Sequence, residues 1–378
     1  LRGSVTKFEQ YRSCPFAYYS RYGLGLEERP RYQFAAPDLG MLVHGALRII
    51  GEKLLREQKQ WHDIPDSEVP AICRQATDEL APQVQHDILM SNAYFAQIKE
   101  RLIQTLTRTV RRLSAFSAVS DFHMEGLEKS FGRPGSPWEA LRFTLKNGLH
   151  VVVTGQIDRI DTLRQGDHKY VVIIDYKSGR KQLDISQIFT GLELQLLTYM
   201  FVALLNIGGD AIPAAVLYCY VRNDRVSLEY RVSDEDKKKL YESKGKLTGF
   251  YLDDGQVMQQ LDTSMQGFSD FLNLRLKKDG TLSDASHTLY NEAGWSHLLD
   301  WAARQIEDIA GHIGDGDISI HPVLLGQKAP CSYCPYRPVC RFDVAMAGNT
   351  YDAAGREDKD DMIRKMFDEG DDEHGLDK

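Results

Sequence analysis

The hydrophobic positions divide the chain into stretches of two different periods. Leu42, Val43, Ala46, Leu47, Ile50 and Leu54 recur every three or four residues between Met41 and Arg56, the spacing of one helix face. Residues 69–120, rich in Gln, Arg and Leu and poor in Gly, predict two or more helices without a catalytic pattern. The period then changes. Val151, Val152 and Val153 stand in a β-branched run bounded by Gly148 and Gly155, and Gln156 to Asp161 extends it. After a turn over 164–168, Tyr170-Val171-Val172-Ile173-Ile174 is apolar at every position and ends in Asp175-Tyr176-Lys177. A run without alternation suits a central strand covered on both faces. Residues 185–206 return to helix and 214–221 to a buried strand. Residues 233–312 read mostly as helix, closing on the amphipathic stretch Trp295–Ile313. This order predicts an α/β core with helical insertions over about 52–125 and 233–313. No internal repeat is visible.

Composition sets limits on that picture. The chain has 378 residues, 42% hydrophobic and 26% charged, ordinary for a globular protein. No apolar run approaches the roughly 20 residues that span a bilayer, and no secretory signal opens the chain. A cytoplasmic location is expected. The chain starts Leu1-Arg2-Gly3 without an initiator Met, so it is expected to be a fragment of a longer polypeptide. The formal charge of -8 is unevenly spread: from Glu357 to Lys378 ten acids face four bases, leaving 42 bases and 44 acids elsewhere. Residues 346–378 are accordingly expected to form a flexible acidic tail. Local clusters, not net charge, decide whether a phosphate backbone is gripped. Arg101, Arg108, Arg111 and Arg112 form one such cluster, and Lys177, Arg180 and Lys181 another, while Lys237 to Lys239 read better as a solvated helix face.

The sharpest chemical signal is Asp158 followed by Asp175-Tyr176-Lys177. Both acids lie at or near the ends of apolar runs, where an unpaired carboxylate is costly and a divalent cation relieves the cost. Mg²⁺ suits two carboxylates because it keeps several waters, one of which can attack phosphorus. Asp175 and Lys177 leave the same face of an extended strand, and the Tyr176 carbonyl between them is a further candidate ligand. The bland alternative is a strand-end ion pair, with Asp158 capping a turn. His44, in the first turn of its helix, and Gln195 with Tyr199, four apart on one helical face, widen the set. Each has an ordinary structural reading as well, as a packed histidine or a satisfied core amide.

Six cysteines are present, and a CxxC pair without a secretory signal points to metal rather than disulfides. Cys331, Cys334 and Cys340 lie within ten residues, held open by Pro335 and Pro338. Zinc or a cubane cluster needs a fourth ligand, and Cys14, followed by Pro15, is the natural donor; spacing does not separate the two. A zinc knuckle completed by His321 is the lesser alternative. Cys73 and Cys219 sit in apolar settings as ordinary buried thiols.

Taken in order, these markers resemble the C-terminal nuclease region of the B subunit of AddAB-type bacterial helicase–nucleases, in the RecB-like branch of the PD-(D/E)xK nucleases. The resemblance runs from Ser4 to about Phe342. It is carried by Ser4–Tyr11 leading into Cys14-Pro15-Phe16, Gly40–Gly45, Gly155–Asp161, Asp175–Gly179, Gln195 with Tyr199, and the cysteine triplet. It implies a restriction-endonuclease-like core, a mixed central sheet flanked by helices. It also implies that His44, Asp158 and Asp175 ligate Mg²⁺ or Mn²⁺, that Lys177 is the catalytic lysine, and that Gln195 and Tyr199 line the DNA path. Cys14, Cys331, Cys334 and Cys340 would hold a structural [4Fe–4S] cluster. The implied activity is cleavage of the 5′-ended strand in double-strand break processing. No Gly-x₄-Gly-Lys-Ser/Thr loop is present, so the motor would belong to a helicase partner, the A subunit. Two alternatives stay open: a freestanding four-cysteine exonuclease of the CRISPR-adaptation type, and a non-catalytic DNA-holding module.

Overall fold

The computed structural model describes residues 1–29, 32–179, 183–221, 233, 245–283, 287–355 and 357–368. Strand β1 (Arg2–Ser4) leads into helix α1 (Val5–Ser13), the single-turn α2 (Pro15–Tyr18) and a π-turn, Tyr19–Gly23. Three long helices follow, α3 (Ala36–Arg56), α4 (Val69–Leu80) and α5 (Ala93–Ala118). Then come β2 (His123–Phe131), β3 (Arg142–Thr144), β4 (His150–Gln165) and β5 (His168–Lys177). The helices α6 (Ile185–Phe189) and α7 (Gln195–Ile207) cross to β6 (Ala211–Tyr220) and β7 (Thr248–Leu252). Beyond α8 (Gly255–Leu261) lie β8 (Leu289–Tyr290), α9 (Glu292–Gly314), β9 (Val323–Leu325), α10 (Arg337–Cys340), β10 (Asp352–Ala354) and α11 (Lys359–Asp368).

The spine of the sheet is β4. Its first half alternates buried and half-exposed positions, and its second half is buried on both faces from Ile157 to Thr162. The eight-stranded sheet runs β1-β4-β5-β6-β7-β8, with β2 and β3 also pairing on β4. β4 and β5 are antiparallel, β5 and β6 parallel, β6 and β7 antiparallel, so the sheet is mixed as expected. The parallel β5–β6 step needs a crossover, which α6 and α7 supply. Helix α3 packs on the other side, close enough that a Cβ on Gly51 would meet Leu127 Cδ1 of β2 at 2.5 Å. Trp61 and Trp295 are buried in the same continuous core as the sheet.

Four expectations need correction. The helix read over 185–206 is two helices, broken where Gly191 takes a φ of 75°. The strand read from 214 starts at Ala211 and passes through Pro213; the register shift between Val171 and Val172 accommodates a residue with no N–H to give. Within 233–313, the described residues include β7 on the sheet and a largely irregular stretch, and only α9 is a long helix. Finally, the tail is tied down through residue 368. β10 pairs with β9, Arg12 bonds Asp352 at 2.6 Å, Lys359 bonds Asp184 at 2.8 Å, and α11 buries Met362 and Met366 completely. Arg180, Lys181, Lys237 to Lys239 and residues 369–378 lie outside the described residues.

Candidate metal centre and cysteine cavity

Backbone pairing between β4 and β5 runs from Gln165↔His168 to Arg159↔Ile174. Just past that end, Asp158 Oδ2 accepts the Tyr176 backbone N–H at 2.8 Å, a carboxylate standing where a ladder carbonyl would be. The same oxygen lies 3.2 Å from His44 Nδ1, which α3 brings over the sheet. Asp175 and Lys177 project together, with Lys177 Nζ 2.5 Å from Asp175 Oδ2, and Lys177 donates to Gln195 Oε1 at 3.1 Å. Gln195 Nε2 donates in turn to Tyr199 OH at 2.9 Å, one turn along α7. Elements distant in sequence thus bring His44, Asp158, Asp175, Lys177, Gln195 and Tyr199 to one corner.

A seventh group completes it. Glu128 stands on β2 opposite Asp158, between the pairs Leu127↔Arg159 and Lys129↔Ile157. Its φ of 47° is in the left-handed region, a strained conformation for a residue with a Cβ. The Gln156 amide donates to its carboxylate. Ligand atoms of His44, Glu128 and Asp158 lie within 4.8 Å of one another. Sequence reasoning misses Glu128 because residues 123–131 do not announce themselves as a strand. A period of two there puts Glu128 on the face of buried Met124, an inward acid that calls for a partner.

The corner concentrates negative charge out of water. Asp175 is only 1% exposed and Asp158 8%. Burial, then the Asp158 charge, raise the Asp175 carboxyl despite Lys177 and His44 beside it. Burial and the Asp158 charge push Glu128 up to about 7. Burial alone would lower His44, but its hydrogen bond to Asp158 and the charges of Asp158 and Asp175 leave it raised. One nitrogen and several carboxylate oxygens, crowded and partly desolvated, fit a small divalent cation by donor chemistry.

Other residues hold the corner in shape. Glu9 of α1 caps α7, its Oε1 accepting the N–H groups of Leu194 at 2.7 Å and Gln195 at 3.0 Å. Tyr218 lies across from Asp175 on β6, its ring 5.5 Å from Lys177 Nζ and its hydroxyl donating to Glu193. At Gly155 a Cβ would meet the Phe131 ring at 2.4 Å and the Tyr199 ring at 3.1 Å, so glycine lets both rings close over the strand.

The cysteines of the two chain ends meet elsewhere. Cys14, Cys331, Cys334 and Cys340 all line one cavity of about 160 Å³, together with Phe16, Ala17 and Tyr336. None of the four is in a disulfide, and backbone N–H groups of Phe16 and Ala17 reach the Cys14 sulfur. The Phe16 N–H also bonds the Ser319 carbonyl at 3.1 Å, and Tyr336 OH bonds the Leu26 carbonyl at 3.0 Å, fastening the loops. Four thiols around one void fit a four-sulfur metal group. His321 lines a different cavity. Cys73 and Cys219 are buried, as expected, and burial pushes both thiols up to about 11. Two members of the predicted arginine cluster on α5 are engaged within the protein. Arg111 bonds Asp66 at 2.7 Å, and Arg112 donates to the Asp270 carbonyl at 2.8 Å.

The family model of the PD-(D/E)XK nuclease superfamily matches residues 2–341. The chain belongs to the PD-(D/E)XK nuclease superfamily. Asp175-Tyr176-Lys177 has the spelling of the superfamily's (D/E)XK element, at the mouth of the described corner. Among curated proteins, the chain is similar to the B subunit of the ATP-dependent helicase/deoxyribonuclease of Bacillus licheniformis, 34% identical over 99% of this chain and 32% of that protein. It is 36% identical to the corresponding protein of Moorella thermoacetica over 94% of this chain and 31% of that protein. With the Bacillus subtilis protein of the same name the figures are 34%, 93% and 30%. The chain therefore spans about a third of the length of the curated relatives it matches.

Proposed function

We propose that the chain is the catalytic part of a divalent-metal-dependent DNA exonuclease that works beside a helicase subunit in processing double-strand breaks. The observation that carries this reading is the meeting of His44, Glu128 and Asp158 with the Asp175–Lys177 pair where the pairing of β4 with β5 stops. A module that only holds DNA gains nothing from crowding three carboxyls beside phosphate.

His44, Glu128, Asp158 and Asp175, with the Tyr176 carbonyl, would hold Mg²⁺ or Mn²⁺. When bound, such an ion polarises phosphoryl oxygen and acidifies water. Lys177, braced between Asp175 and Gln195, sets a positive charge where the phosphorus centre gains negative charge. Tyr199 takes the Gln195 NH₂ group, which leaves the amide oxygen to face the ammonium. Cys14, Cys331, Cys334 and Cys340 would hold a structural [4Fe–4S] cluster that joins the two ends of the domain. The relatives' name, a helicase/deoxyribonuclease component, supports DNA as substrate and a helicase A subunit as partner. Preference for the 5′-ended strand is what the resemblance of the motifs implies, and a cytoplasmic setting suits the CxxC pair read as a metal site.

The test is cleavage of end-labelled duplex and single-stranded DNA, with and without the helicase partner. Wild type should cut only with Mg²⁺ or Mn²⁺. Asp175→Ala should lower the rate about a thousandfold or more, since an ion's stabilisation is worth several kcal/mol. Its melting temperature should hold or rise, because a buried carboxyl is gone. Equal cutting by the variant would move the chemistry elsewhere.

A further inference from the structure

The metal corner has a cation at each end. Lys177 touches Asp175 at one end. At the other end stands Arg48, one turn beyond His44 on the same face of α3. Helix α3 packs on β2 at Leu127, the residue before Glu128. The corner therefore holds the Lys177–Asp175 pair, then the cluster of His44, Glu128 and Asp158, with Arg48 one helical turn from His44.

Charge balance gives Arg48 a purpose. Three carboxyls meet in the corner, and a divalent ion with Lys177 balances those three charges, leaving none for incoming phosphates. A nucleic-acid strand presents a row of them. Arg48 is positioned to answer: its side chain is 40% exposed, and its bond to Glu52, 3.3 Å long, joins two half-exposed groups four apart on the helix. Such a pair is weak, and a phosphate offering two charge-assisted bonds in the plane of the guanidinium displaces it.

We infer that Arg48 forms a second phosphate subsite, which takes the phosphodiester next to the scissile one on the side of the metal group away from Lys177. The inference rests on the nuclease reading and deepens it. The site accepts a polynucleotide strand by two consecutive phosphates rather than a single phosphoester.

The test uses the full chain, single-stranded oligonucleotides and Ca²⁺ in place of Mg²⁺, with affinity measured across a salt series. Arg48→Ala should weaken binding about tenfold and flatten the log–log salt slope by about 0.7, the share of one single-strand phosphate contact. Arg48→Lys should restore most of the slope. A neutral methylphosphonate at the linkage adjoining the cut should weaken wild type while leaving Arg48→Ala little changed. Wild-type affinity and slope in Arg48→Ala would overturn the subsite. With Mg²⁺, Asp175→Ala run alongside separates the two readings. If wild type cuts, Asp175→Ala does not, and Arg48→Ala binds like wild type, only the subsite falls. If Asp175→Ala cuts like wild type, the catalytic reading falls with it.

Discussion

The metal corner and the cysteine cavity are both assembled from distant parts of the chain, yet they are held in opposite ways. The corner sits on buried strands, and its groups already touch: Asp158 to His44, Lys177 to Asp175 and Gln195, Gln195 to Tyr199. Its shape comes from the sheet. The cavity is made of loops and single turns, with Cys331, Cys334 and Cys340 half-exposed and α2 and α10 four residues each. Helices that short do not hold themselves. The cavity would draw further order from the group proposed for its four sulfurs, while the corner draws its order from the fold. Stability and chemistry should therefore separate on mutation.

The largest separation should come from Cys14→Ala. A clasp from Cys14 to Cys331 closes a loop of more than three hundred residues, worth on the order of 5 kcal/mol by chain entropy. Protein purified without oxygen should be brown, and the variant should be bleached and unfold at much lower denaturant, while its folded fraction keeps metal affinity. A colourless wild type with one tight zinc would reassign the cavity. Glu128→Gln should do the converse, losing metal affinity by about ten- to a hundredfold, the scale of a damaged metal shell, at nearly unchanged stability. Calorimetric titration with Mn²⁺ reads it, and wild-type affinity would remove Glu128 from the site. The smallest effect should come from Met366→Ala, about 2 kcal/mol for a fully buried methionine, felt as protease cutting near residue 355 with cleavage of DNA intact. Protection equal to wild type would mean that α11 contributes no hold on the domain.

What can be read from residues alone follows the same division. Continuous apolar runs disclose β4 and β5, and charges that interrupt or end them disclose Asp158, Asp175 and Lys177, because burying an acid leaves a mark in any sequence. Glu128 leaves a fainter mark. Its strand carries Lys129 and Ser130 on a half-covered stretch, which blurs the period of two that would place it inward. β7 is illegible for another reason. Five residues are too few to show alternation, and Gly249 is there because β6 passes so close that a Cβ would meet the Val216 carbonyl oxygen at 1.8 Å. In the tail, Met362, Ile363, Met366 and Phe367 have helical spacing, but the surrounding acids argue for disorder. Two buried methionines prevail.

Helix α1 carries Glu9, which grips the start of α7, and runs directly into Cys14. The half of α1 from Glu9 to Ser13 thus acts as a tie rod between Cys14 and the amide that faces the Lys177 ammonium. Oxidative loss at the sulfurs would slacken Gln195 and Tyr199 first, while His44, Glu128 and Asp158 stay seated on α3 and the sheet. Such a molecule would keep its ion and lose its aim, misplacing the strand before it forgets how to cut.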